Sequence, residues 1–331
     1  MNPSAATAPA ERDTIWRLVS SSPLHSLWDF QGASPWVIAK RTFHAFTEDN
    51  LLSRAAELGY YFLFALFPTL VSASAILGLV ARSASDIYLR LLHYLTLVVP
   101  ASAYGIVLDT FNQTTAHSSG GKITFGLVAA IWSASVGFGA IQDTLNTVYK
   151  VTETRPYWKA RGAAMLVTIL LSLIVTATLA VLLLSTIGAH MAYDHIHPRA
   201  VAWTLIGCIH TLGFALSSAL LVLLFAVIYY FAPNLKAKRW RWLTPGAAIG
   251  IFGWLIASIG LRIYLHFFDN YSVTYGSLGA VIILLTWFYL TGLMLLLGAE
   301  INSEIEAAAA ETRLKSCAVT AGTAPSAGMA S

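Results

Sequence analysis

Residues 278–299 read LGAVIILLTWFYLTGLMLLLGA, an apolar run without a charged side chain, and Glu300 ends it. A helix needs about 20 mostly apolar residues to cross the hydrocarbon of a bilayer, so this run is long enough to span one. Further apolar runs occupy about 55–81, 123–148, 162–191, 201–231 and 246–268. With 57% hydrophobic and 11% charged residues, the chain has too little polar surface to fold as one soluble domain. Transmembrane β-strands would be about 10 residues long and would alternate polar with apolar positions, and these runs do neither. Hydrocarbon leaves backbone N–H and C=O groups without partners, whereas a helix satisfies them internally. The sequence therefore predicts an all-α membrane protein: a six-transmembrane-helix bundle with amphipathic interfacial helices.

Lys and Arg gather in alternate connections between the runs. Arg12, Arg17, Lys40, Arg41 and Arg54 precede the first, and Lys150, Arg155, Lys159 and Arg161 separate the second from the third. Lys236, Lys238, Arg239 and Arg241 separate the fourth from the fifth, and Arg313 and Lys315 follow the sixth. The opposite side holds only Arg82, Arg90, Lys122 and Arg199. The positive-inside rule then places both termini in the cytoplasm. The inner loops account for the net charge of +4, so no nucleic acid is called for as a partner. Residues 1–34 lack the apolar core of a signal peptide, and the first span is expected to act as its own insertion signal. The expected organisation is a disordered tail over 1–34, a transmembrane domain over 35–305 and a cytoplasmic tail over 306–331. Cys208 in the fourth span and Cys317 in the tail lie too far apart for a disulfide.

Trp36, Ala39, Phe43 and Phe46 recur at helical spacing, with Lys40, Arg41, His44 and Glu48 on the other side. This predicts an amphipathic helix anchored in the inner headgroup region. The long outer connection from Arg82 to Lys122 carries two further stripes, Ile87–Leu95 and Tyr104–Phe111, parted by Pro100. They read as a cap over the helix ends or a lid over a cavity.

Ionisable groups inside a span cost roughly 2.5–3.5 kcal/mol each on insertion scales, so they mark functional candidates. Glu57 stands near the inner end of the first span, Gln142, Asp143 and Asn146 near that of the second, and Glu300 and Asn302 at that of the sixth. Arg161 begins the third at the same level. These residues suit either a closed hydrogen-bond network or a polar cavity open to the cytoplasm that binds a cation, a proton or a cationic headgroup. At the outer end of the fifth span, Arg262 and His266 share a face and Asp269 follows. Arg262 either snorkels to the headgroups or points inward to hold an anion. His210 reads as a hydrogen-bonded interior histidine.

Gly246, Gly250, Gly253, Ala257 and Gly260 alternate spacings of four and three, making a smooth stripe for a close helix contact. Pro68, in the middle of the first span, removes one backbone hydrogen bond and is expected to kink that helix.

No Walker sequence, dinucleotide fingerprint, nucleophile elbow or HExxH helix is present. His190, His195 and His197 lie at spacings that zinc tolerates. However, Pro198 follows at once and no second ligand group accompanies them. No catalytic residue, metal or cofactor is therefore expected, and the chain reads as a non-enzyme.

Several blocks stand in an order that is informative as a set: AAELGYYFLFALFP (55–68), IWSASVGFGAIQDTLNTVY (131–149), RPYWKAR (155–161), LTPGA (243–247) and YGSLGAVIILLTWFYLTGLMLLLGAEIN (275–302). In these the chain resembles the YihY/BrkB family of bacterial inner-membrane proteins, some once labelled ribonuclease BN. Glu57 departs from the small residues expected there. The resemblance implies six spans with both termini inside, in the bacterial cytoplasmic (inner) membrane. It also implies a link to envelope integrity and lipid export, hence transport or translocation of a lipid or small molecule. A non-transporting structural or envelope-assembly role is the alternative. The HxHxDH metal site of a zinc-dependent ribonuclease is absent from this sequence. The implied partners are membrane lipids, with envelope proteins or further copies of the chain.

Overall fold

A computed structural model describes residues 9–24, 26–28, 34–66, 120–195, 199–267 and 277–322, and every regular element among them is helical. These elements are α1 (Pro9–Ser21), α2 (Pro35–Glu48), α3 (residues 51–66), α4 (Gly120–Val148), α5 (Tyr157–His195), α6 (Arg199–Phe231), α7 (Pro245–Phe267) and α8 (Ser277–Gly322). Pro68, Asp269, His197 and the outer connection up to residue 119 lie outside the described residues.

Among the described residues, four helices are long and apolar enough to cross a membrane: Tyr157–Tyr193, Arg199–Phe231, Pro245–Phe267 and Leu278–Ser316. Their outward faces carry Leu212 at 70%, Phe214 at 73% and Phe252 at 67% exposure, which only a hydrocarbon solvent tolerates in such density. α5 and α6 form a long antiparallel hairpin, α7 packs on α8, and α4 packs on α5. Buried residues concentrate where α3, α4 and α8 meet. There Leu51, Ala55, Leu58, Leu145, Val148, Leu296 and Ala299 are all fully enclosed.

Close approach at this crossing depends on glycine. A Cβ on Gly59 would lie 3.2 Å from the Tyr289 backbone nitrogen, and one on Gly292 would lie 3.2 Å from the Leu58 Cβ. The start of α7 is built from LTPGA. Thr244 accepts the Ala247 N–H at 3.0 Å as an N-cap, and Pro245 occupies the first helical position, where its missing N–H costs nothing.

α2 turns Ile38, Thr42 and Ala45 into the protein while leaving Trp36 and Phe43 exposed at 78% and 76%. That arrangement suits a helix lying on the inner membrane surface. It ends at Glu48, where Asn50 adopts a left-handed backbone, φ 52°.

Two departures concern the ends. The expected disordered tail over 1–34 contains α1, whose Ile15 and Val19 join the main core, and Leu24 and Leu27, which pack with Ile38, Ile305 and Ala309. After residue 305, where the cytoplasmic tail is expected, α8 continues without a break to Gly322. At 1.5 Å per residue its 46 residues extend about 70 Å, far beyond the roughly 30 Å of hydrocarbon. The run Ala307–Ala310 is buried, because small side chains let α1 and α2 pack closely on this extension. Neither end needed a long apolar run, so hydropathy alone did not mark them.

Candidate functional site

At the end of the bundle where the α4–α5 connection lies, α3, α4, α5 and that connection line an open pocket of about 450 Å³. Its polar walls include Glu57, Gln142, Asp143, Glu153, Arg155 and Arg161. The sequence directed attention to Glu57, Gln142, Asp143 and Arg161, and all of them line this pocket. Glu153 and Arg155 were not singled out. They lie in a connection rather than a span, where charge is ordinary.

The charges of the pocket are unequally committed. Arg155 grips Glu153 through Nε at 2.8 Å and Nη2 at 2.6 Å, and its backbone N–H adds a third bond at 2.9 Å. The Asn146 side-chain amide donates to the same carboxylate at 3.1 Å. The Arg155 guanidinium, with these hydrogen bonds, holds the Glu153 carboxyl down at about 2. The Asn146 oxygen meanwhile accepts the Asn234 N–H at 2.7 Å, and Asn234 reaches back to Thr152 and Thr154. Asn146 thus ties α4 to both inner loops rather than facing the pocket.

Arg161 is committed as well. It donates to the Trp132 carbonyl at 2.9 Å and lies over the Trp132 ring, 4.4 Å from its centroid, a cation–π contact. Gln142 is buried, with its amide nitrogen unpartnered. By contrast, the carboxylates of Glu57 and Asp143 are exposed to the pocket and make no salt bridge among the described residues. Among the described residues the hollow thus holds two carboxylates outside any ion pair, beside an Arg161 Nε that is buried without a hydrogen-bond partner, and the two carboxylates suit a cation or the ammonium of a headgroup.

The remaining inner residues belong to a packed layer. Asn302 is 1% exposed; its oxygen accepts the Gly246 N–H at 3.0 Å and its nitrogen donates to Thr244 Oγ1 at 2.9 Å. Gly246 meets the backbone of Gly298, and a Cβ there would lie 2.6 Å from Asn302 Oδ1. A Cβ on Gly250 would lie 3.0 Å from the Met294 carbonyl oxygen and one on Gly253 2.8 Å from the Met294 sulfur, while one on Gly260 would meet nothing within 4 Å among the described residues. Ala257, between them, is half-buried. Glu300 is fully buried in the α3–α4–α8 core, and neither of its carboxyl oxygens has a hydrogen-bond partner.

On α7, Arg262 and His266 are both exposed on the helix surface. His210 is exposed too, its Nδ1 3.1 Å from the Ile206 carbonyl, so it is not the interior histidine expected. An apolar groove of about 500 Å³ runs between α2, the start of α7 and α8, lined by Ile38, Phe43, Phe46, Ile249, Leu297 and Ile301.

Comparison with known proteins adds kinship. A family model described as Virulence factor BrkB matches residues 42–320. The ribonuclease-like protein YfkH of Bacillus subtilis is 35% identical over 80% of this chain and 93% of its own. UPF0761 membrane proteins of Methylibium petroleiphilum and Stenotrophomonas maltophilia are 29% and 25% identical over 81% and 80% of this chain. The chain spans 62% and 60% of those two proteins' lengths. No solved structure matches it.

Proposed function

The chain belongs to the Virulence factor BrkB family, and from that premise we propose that it is an inner-membrane transporter that translocates a lipid or other small molecule. Six spans with both termini in the cytoplasm is the topology that its alternating Lys and Arg support. The observation that carries the reading is the pocket, where Glu57 and Asp143 make no salt bridge among the described residues, while Arg155 is bound to Glu153, Arg161 to the Trp132 carbonyl and Arg54 to the Asp49 carbonyl. A helix bundle that only braces a membrane has no use for unpaired carboxylates in a hollow at membrane level. Two such groups favour a cationic or zwitterionic headgroup, and the apolar groove beside α2 favours a substrate with acyl chains. The chain acts without catalysis in this reading, and the ribonuclease wording of the Bacillus relative is not carried over.

The test is flux in proteoliposomes. Labelled phospholipids with cationic, zwitterionic and anionic headgroups are followed across the bilayer with wild type, Asp143→Asn and Glu57→Gln. The expected result is accelerated movement of the cationic or zwitterionic lipid, cut at least about tenfold by Asp143→Asn, about 1.4 kcal/mol. Wild-type rates equal to those of protein-free vesicles for every lipid and for small organic cations would overturn the reading.

A further inference from the structure

Glu300 is the first residue beyond the apolar run 278–299, and its side chain is completely enclosed. Neither carboxyl oxygen has a hydrogen-bond partner among the described residues. Ser303, one turn on, directs its hydroxyl to the Glu300 backbone carbonyl at 3.0 Å. Charged groups face the carboxyl from each element packed around it. Asp49, just past α2, is 8% exposed; Lys150 engages its Oδ1, and its Oδ2 has no partner. Lys150 and the buried Tyr149 come from the end of α4. Glu304, 9% exposed, lies on α8 itself, and Arg41 of α2 acts on it while pairing with Glu311.

Three buried carboxyls thus share one ammonium. The arrangement is not accidental in backbone terms. Asn50 and Lys150 both adopt φ 52°, each just past the end of a helix, where a left-handed residue commonly closes the last turn. These two turns set Asp49 and Lys150 against Glu300. Three ionised carboxylates would leave uncompensated charge in a low-dielectric setting, which a protein avoids by keeping a proton on the least supported group. Asp49 has the lysine, and Glu304 has Arg41 nearby. Glu300 has no counter-ion of its own and no donor.

We propose that Glu300 is a proton-binding site whose carboxyl takes up and releases a proton opposite the Asp49–Lys150 pair. The site deepens the transport reading above, and rests on it for one point only: the proton is the ion coupled to movement of substrate. A metal ion is a poor alternative, since no group of three or more His, Cys, Asp or Glu among the described residues is placed to hold one.

Infrared difference spectroscopy on the full-length protein in lipid tests the binding without any substrate. At neutral pH the wild type is expected to show a deuterium-sensitive carboxylic acid C=O band that Glu300→Gln, an isostere of the neutral acid, removes. The band fades as pH is raised. Lys150→Met moves the fading to higher pH, because a cation favouring the carboxylate is gone, and Asp49→Asn moves it to lower pH. These two variants keep Glu300 and read the site even where Glu300→Gln does not fold. A band identical in wild type and a folded Glu300→Gln variant overturns the proposal. So does a Glu300 band that never titrates while the protein stays folded, or one whose pH dependence ignores both charge changes. Flux without a titrating Glu300 band sinks the proton site alone. A titrating band in a protein that moves no substrate sinks transport and leaves the proton site standing.

Discussion

Arg41 on α2 makes two parallel hydrogen bonds, 2.9 and 2.8 Å long, to the two carboxylate oxygens of Glu311 on the extension of α8. This fork joins α2 to the far half of α8, residues 270 apart in sequence. Both side chains are about one-fifth exposed, so solvent screens the pair only in part. A double-mutant cycle with Arg41→Met and Glu311→Gln, read by unfolding in detergent, should give a coupling of about 1–2 kcal/mol. A coupling near zero would mean that α2 is held by its apolar face alone.

The Gly246–Gly298 contact predicts a sharp contrast along one helix. A methyl group on Gly246 would run into the Gly298 carbonyl oxygen and Asn302, which are backbone and a locked amide rather than flexible side-chain ends. Gly246→Ala should therefore destabilise by about 3 kcal/mol or more, the upper end of overpacking. Gly260→Ala meets nothing within 4 Å and should be neutral or stabilising by up to about 1 kcal/mol, the helix-propensity difference. Equal effects at both positions, measured by thermal unfolding, would contradict the close approach of α7 to α8.

Thr244 performs two tasks with one hydroxyl: it caps α7 by accepting from Ala247 N–H and it accepts from Asn302 Nδ2. Thr244→Ala should cost about 1 kcal/mol for the cap and about 1–3 kcal/mol for the buried amide left without a partner. Thr244→Ser should restore most of that loss. Equal unfolding midpoints for the alanine and serine variants would show that the hydroxyl is not what matters.

How far the sequence revealed this arrangement depends on whether the signal was local. The run 278–299 announces its helix because the bilayer imposes a length and a composition on every span. Glu57, Gln142, Asp143 and Arg161 were conspicuous because polarity near a span end is unusual, and the structure sets them around one hollow. The extension of α8 past 305 has no apolar run to announce it; alanine's helix propensity and small size at Ala307–Ala310 are the usable signal. The Asp49–Lys150 contact joins residues 101 apart through two left-handed turns, and nothing in either neighbourhood foretells the other. Glu153 and Arg155 are hidden differently: two residues apart in sequence, they are ordinary loop charges until Asn146 and the fold aim them at the pocket.

The Glu153–Arg155 pair supplies a pH dependence whose sign can be worked out. Glu153 lies in the inner connection, and Arg155, its N–H and the Asn146 amide pull its carboxyl from the usual range near 4.5 to about 2. A carboxyl depressed in the folded state binds its proton more readily when the chain unfolds. Its stabilisation is therefore fully present above about pH 4.5 and is lost as pH falls through about 2. Raising the pH from 5 to 8 should leave this contribution unchanged. Glu153→Gln should lower the unfolding temperature at neutral pH, and the gap to wild type should narrow steadily below about pH 4.5. The side chain is 29% exposed, so solvent screening keeps the stability change small. A gap that stays constant from neutral pH down to pH 2 would show that Glu153 contributes shape and hydrogen bonds but not charge.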